Sequence, residues 1–233
     1  MEFEENAGEP AGEGISGQVN LPDELEKLKE RADSGEIRAM VRLGALLMLP
    51  GGNPEEIETA IDYLEKAGDD AEALYYLGEY YRRGRPEGGG HDNSRAIEYY
   101  EKAAAKGEAR AQYKLGGAYA EGVAVPKDIE KALFWFEKAA QAGNSDAQND
   151  LGYMHLHGFE VSVDYEKAKK WLEIAMQQKH PRAYYNLGVM AANGLGIEAN
   201  IEEAYRYFLT AALLNHATAA EEAAKLAPKL SPE

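Results

Sequence analysis

KALFWFEKAAQAGNSDAQNDLG, residues 131–152, reads as an aromatic-rich helical run, a break at Gly143, and a second run ending on Leu151-Gly152. An interior glycine costs a helix about 1 kcal/mol against alanine, so Gly152 needs a reason. The same dipeptide recurs at Leu43-Gly44, Leu77-Gly78, Leu115-Gly116 and Leu187-Gly188, giving spacings of 34, 38, 36 and 36 residues. Five residues before each glycine stands an alanine (Ala39, Ala73, Ala111, Ala147, Ala183), and six after four of them a second glycine (Gly84, Gly122, Gly158, Gly194). The first copy has Pro50-Gly51-Gly52 there instead. A second set of segments aligns on Ala96, Ala132, Ala168 and Ala204, each followed three residues later by an aromatic: Tyr99, Trp135, Trp171, Tyr207. A fixed period of this length is the signature of a repeat architecture.

Each unit reads as two helices. In helix A the alanine, leucine and glycine share one face, which lets the next helix pack close, and that is the expected reason for Gly152. The second glycine is expected to stop helix A. Asp92, Asp128, Asp164 and Asn200 then stand where side chains cap helix B, and Glu203 three residues after Asn200 suggests a capping box. Helix B has alanine and aromatic residues at helical period.

These residues resemble the Sel-one-like repeat family, a relative of the tetratricopeptide repeat. The fullest match is AQYKLGGAYAEGVAVPKDIEKALFWFEKAAQAG, residues 111–143, and the resemblance covers roughly residues 22–226. The first copy departs in LGALLMLPGGNPEE, which suggests a shortened second helix. The second copy carries a two-residue insertion in RGRPEGGGHDNS, and the fourth and fifth replace the closing glycine with Lys179 and Asn215. The resemblance implies an all-α fold: a right-handed α-solenoid superhelix of stacked helix-turn-helix repeats, about 12 helices in all. The expected divisions are a flexible acidic tail over 1–20, an N-terminal capping helix over 21–36, five repeats over 37–218, and a C-terminal capping helix and tail over 219–233. The tail has five glutamates and no basic residue, a composition that buries too little surface to order itself.

Composition narrows the function classes. No apolar stretch of about 20 residues is present, so no membrane insertion is expected, and no leader precedes the repeats as written. The cytoplasm is the expected compartment, with export the alternative if a leader precedes this sequence. Zero cysteine sets the chain apart from disulfide-stapled members of the family. A net charge of −16 argues against nucleic acid as partner and suggests a protein with a basic surface. The chain is expected to be monomeric.

Catalytic, cofactor and metal sites are all expected to be absent. His155 and His157 are two apart and so lie on different sides of a helix, which favours surface histidines over a metal pair; His180 belongs to a neighbouring loop. GRPEGGGH lacks the Gly-Lys-Ser/Thr of a phosphate loop, and GEGISGQ lacks the strand and helix of a nucleophile elbow. The carboxylates fall almost entirely on exposed helix faces. No pair stands in an apolar setting suited to acid catalysis.

What remains is surface. The resemblance implies that the A helices line the concave side of the superhelix. Removing the repeated packing positions leaves a variable stripe of Val41, Arg42 and Ala45; Tyr75, Tyr76, Glu79 and Arg83; Tyr113, Lys114 and Glu121; Asn149, Asp150, Tyr153 and His157; Tyr185, Asn186, Val189 and Asn193. Tyrosine and asparagine dominate it, and both suit peptide recognition. The expected function is a non-catalytic module that binds a partner protein or extended peptide on this stripe, as adaptor, scaffold or regulator. An immunity-type inhibitor that masks a toxin is the sharper variant. An enzyme or small-ligand protein with the Arg85–His91 insertion as a lid is the competing class.

Overall fold

The computed structural model describes residues 21–49, 53–84 and 90–230. The acidic segment 1–20, the Pro50-Gly51-Gly52 break, most of the Arg85–His91 insertion and residues 231–233 lie outside the described residues. Twelve α-helices follow one another among the described residues, with no strand. They are α1 (Leu21–Asp33), α2 (Ile37–Leu47), α3 (Pro54–Lys66), α4 (Ala71–Arg83), α5 (Asn93–Ala105) and α6 (Ala109–Glu121). The second half holds α7 (Ile129–Gln141), α8 (Ser145–His157), α9 (Tyr165–Gln177), α10 (Pro181–Asn193), α11 (Ile201–Leu213) and α12 (Ala219–Leu226), closed by a 3₁₀ turn. Even-numbered helices α2 to α10 are the A helices, and α3 to α11 the B helices. Each A helix packs most heavily on the B helix that follows it, so the stack is a one-dimensional solenoid capped by α1 and α12.

The interior glycines are packing devices. A Cβ placed on Gly152 would lie 2.6 Å from Leu172 Cγ and 3.2 Å from the Ala168 carbonyl of α9. The same slot is filled by Leu64 over Gly44, Tyr100 over Gly78, Phe136 over Gly116 and Phe208 over Gly188. The glycine therefore receives the residue four positions after the helix B alanine, not the aromatic at three. Tyr99, Trp135, Trp171 and Tyr207, the aromatics singled out in the sequence, are half-buried and each packs on the apolar cluster of the preceding repeat. One residue secures the pair and its neighbour secures the stack.

Helix boundaries follow local chemistry. Asp92, Asp128, Asp164 and Asn200 each accept a backbone N–H of the first turn of their B helix. The capping box lies elsewhere than expected: Glu203 turns to accept the Tyr207 hydroxyl at 3.3 Å, whereas Asn53 and Glu56 form both arms. That box, with Pro54 at the first turn, gives α3 its full 13 residues, so the second helix of the first repeat is not shortened. The shorter helix of that repeat is α2, at 11 residues. Lys179 and Asn215, standing in for the closing glycine, both adopt the left-handed backbone, with φ of 58° and 65°.

Candidate functional site

The A helices form the inner side of the stack. The backbones of α2 and α4, and of α8 and α10, approach closely, while no two B helices do so to the same extent among the described residues. The variable stripe thus lies on the side where successive repeats converge, and convergence uses up much of it. Glu79, Asn149 and Asn186 are buried, with Glu79 3% and Asn149 2% exposed, so these three are structural members of the repeat interfaces and not contact residues. Tyr75, Tyr76, Tyr113, Lys114, Asp150 and Tyr185 are half-buried. Arg83, Glu121, Tyr153, His157 and Asn193 are exposed.

Glu79 is the centre of a charged cluster. Its carboxylate accepts the Tyr100 hydroxyl at 2.6 Å and the Arg82 guanidinium at 3.0 and 2.8 Å, with Arg83 and Lys114 each 3.3 Å away. Burial alone would raise the pKa of this group; the hydrogen bonds from Arg82 and Tyr100 and the charge of Lys114 outweigh it and hold the pKa at about 2. Glu79 is the exception to the exposed carboxylates expected from sequence, and it stays ionised, which suits a structural anion and not an acid catalyst. Beside it, Arg110 lies over the rings of Tyr75 at 4.3 Å and Tyr76 at 5.2 Å and bonds Glu72 at 3.0 Å. Burial, with the nearby Glu79 charge, pushes the Tyr75 hydroxyl up to about 12.

Farther along, the links are amides and a hydroxyl. The Tyr113 hydroxyl donates to Asp150 at 2.8 Å, the Asn149 amide donates to the same carboxylate at 3.0 Å, and the Asn186 amide donates to Asn149 Oδ1 at 3.1 Å. Burial, reinforced by the Asp150 charge, raises the Tyr113 hydroxyl above its ordinary value. His180 is buried in the turn that opens α10, 3.2 Å from Asp146. That hydrogen bond holds the Asp146 carboxyl below its usual range. His157 is exposed and lies against Tyr153, with ring centres 4.4 Å apart. No group of three or more His, Asp or Glu able to hold a metal is present among the described residues.

Two clefts open on this side. One of about 890 Å³ lies among α1, α2 and α4, where Leu28, Val41, Leu46 and Leu49 stand beside Arg38 and Arg42. The other, about 620 Å³, has Ile97, Tyr100 and Phe136 at its base and Lys114, Tyr113 and Asp150 at its edge. It exists because Gly117 occupies the stripe position held elsewhere by Glu79, Tyr153 and Val189: a Cβ there would meet nothing within 4 Å. Sequence reasoning missed Gly117 because a glycine adds no chemistry, and missed Arg82, Tyr100 and Arg110 because they lie off the stripe. The available signal was an acid at 79, in a slot otherwise uncharged, followed by arginines at three and four residues.

Comparison with known proteins gives the family. The Sel1 repeat profile matches five consecutive segments, residues 37–70, 71–108, 109–144, 145–180 and 181–216, so each begins at the first residue of an A helix. No curated protein gives a significant match. Among solved structures, c5321 of uropathogenic Escherichia coli, described as a protective antigen displaying an SLR fold, is 31% identical with a TM-score of 0.74 over 87% of this chain and 43% of its own. A Sel1 repeat protein from Oxalobacter formigenes is 28% identical, with a TM-score of 0.79 over 89% of this chain and 60% of its own. The immunity protein Pa5087 from Pseudomonas aeruginosa, at 22% identity and a TM-score of 0.55, covers 81% of this chain and 72% of its own and bears on the fold alone. The chain thus spans less than two thirds of the first two structures it matches.

Proposed function

The chain belongs to the Sel1 repeat family, whose members are in general protein-interaction modules, and on that footing we propose that it holds a partner protein or peptide on the A-helix side without catalysing a reaction on it. The observation that supports this reading is an inner face already fixed by its own bonds. The Glu79 cluster and the Tyr113–Asp150–Asn149–Asn186 chain link the A helices from α4 to α10 and brace the edge of the smaller cleft, while the larger one opens among α1, α2 and α4. A partner entering them bears the ordering cost alone, since the groove has little freedom left to lose. The hydroxyls of Tyr76 and Tyr113 are engaged within the protein, and Tyr75 and Tyr185 are half-buried, so contact falls to Arg83, Glu121, Tyr153, His157 and Asn193 and to the cleft walls.

A photo-crosslinking amino acid placed at Gly117, Tyr153 or Asn193 tests this in cells, with Glu98 and Glu137 on B helices as controls. The expected result is one dominant adduct shared by the three inner positions and missing from both controls. Adducts confined to the B-helix positions would overturn the reading.

A further inference from the structure

The net charge of −16 is not distributed over the inner face. Helices α2, α4 and α6 together carry six cations (Arg38, Arg42, Arg82, Arg83, Arg110, Lys114) against three carboxylates (Glu72, Glu79, Glu121). The rest of the chain therefore holds most of the acidity, although the cap residues Glu36, Asp70 and Glu108 bring the carboxylates at this end level with the cations. These carboxylates are largely occupied already, Asp70 by the first turn of α4, whose Glu72 and Ala73 N–H groups it accepts. Arg31 holds Glu36 at 2.8 Å, Arg110 holds Glu72 at 3.0 Å, and three cations share the single Glu79. Arg38 and Arg42 are exposed and have no ion-pair partner among the described residues.

Those two guanidiniums flank the larger cleft, whose apolar side is built from Leu28, Val41, Leu46 and Leu49. Leu46 and Leu49 remain 43% and 57% exposed, so unpaired charge and uncovered hydrocarbon stand side by side. Paired guanidiniums select planar carboxylates, and an apolar shelf beside them selects a side chain to bury. Resting on the interaction reading above, we propose that the α1–α2–α4 cleft binds an acidic peptide segment of a partner protein, with carboxylates on Arg38 and Arg42 and one apolar side chain on Leu46 and Leu49. The partner's charge is then the opposite of what the composition of the chain suggests. Screening explains how both hold together: at physiological salt, charges more than about 8 Å apart are largely hidden from each other, so a short peptide reads the local patch. A long polyanion would also meet the acid-rich α3 next door, which disfavours nucleic acid.

The test is selection of a random displayed-peptide library on the full chain, followed by binding of the recovered peptides to Arg38→Glu/Arg42→Glu and Gly117→Tyr variants. Both arginines are exposed and unpaired and Gly117 has open space around its Cα, so the variants should keep the wild-type helical signal. The expected result is enrichment of Asp- and Glu-containing peptides with an apolar residue, bound about tenfold more weakly by the double variant and more weakly at high salt. Basic or neutral peptides that still respond to either inner-face variant would overturn the acidic ligand and leave the interaction reading standing. Peptides indifferent to both variants, or no enrichment, would overturn both. Enrichment only after the five glutamates of residues 1–20 are changed to glutamine would make that segment the occupant and overturn the assignment to a partner. Tighter binding of a single-stranded DNA 12-mer than of any acidic peptide would overturn it as well.

Discussion

Across the inner face repeats two and three are joined through a buried carboxylate, repeats four and five through a buried amide pair with the His180–Asp146 contact beside it. In the first pair a buried carboxylate gathers Arg82, Arg83, Lys114 and the Tyr100 hydroxyl; in the second the Asn186 amide reaches the Asn149 side chain, while Asp150 ties repeat four back to Tyr113 of repeat three. Both seams are built from the same pair of elements, an A helix on the A helix of the next repeat. What differs is the residue that each repeat places at the converging positions, so a solenoid with one architecture has two kinds of seam. The charged seam is sensitive to protons and to loss of either partner; the amide pair itself carries no titrating group.

Replacing the anion should have the largest effect. Glu79→Leu leaves three cations without their carboxylate and Tyr100 without its acceptor, and should cost about 3 kcal/mol. Amide hydrogen exchange should show the loss centred on α4 to α6. If the exchange rates there stay unchanged, the cluster does not hold that seam. Acid gives the reversible version. The ordinary pKa of the carboxyl is 4.5 and that of Glu79 about 2, so its contribution is complete above roughly pH 5 and disappears as pH falls through about 2. Protection of α4 to α6 should fall over that window, and Glu79→Gln should remove the part of the pH dependence that this group supplies.

Adjacent glycines sharpen the comparison further, because they share one helix and face different surroundings. Gly116→Ala would drive a methyl to 2.6 Å from the Phe136 ring and should destabilise by about 1–3 kcal/mol. Gly117→Ala meets open space and should stabilise by up to about 1 kcal/mol through helix propensity alone. Urea denaturation of the two variants should give midpoints on opposite sides of the wild type. In the amide seam Asn186→Ala removes a neutral hydrogen bond and should cost about 1 kcal/mol, clearly less than Glu79→Leu. Equal costs would erase the distinction between the seams. Smallest of all, Lys179→Gly relieves a left-handed backbone at φ 58° and should raise the midpoint by the equivalent of under about 1 kcal/mol.

Much of the fold was legible because repetition multiplies a weak signal. One interior glycine says little, but Gly44, Gly78, Gly116, Gly152 and Gly188 at matched offsets mark a close contact, and five such contacts are found. Caps were legible at Asp92, Asp128 and Asp164 because a cap is made within a few residues of chain. Asn200 shows the limit: its partner Glu203 had a competing offer from Tyr207, four residues on and half-buried against the repeat before. The stripe was legible as a set of positions but not as a surface. Glu79, Asn149 and Asn186 vary between copies as contact residues would, yet the fold buries each of them.

The sequence by itself determined the helix pairs, their order and their packing slots, since these depend on period, caps and residue size along one chain. Only the tertiary structure decided which stripe residues face solvent, where the clefts open and where the charge gathers. Those properties arise between repeats 34 to 38 residues apart, where side chains from two A helices compete for the same space and a single Glu79 meets a lysine from the next repeat. Net charge follows from composition, but the field that a partner meets depends on which cations the fold leaves unpaired.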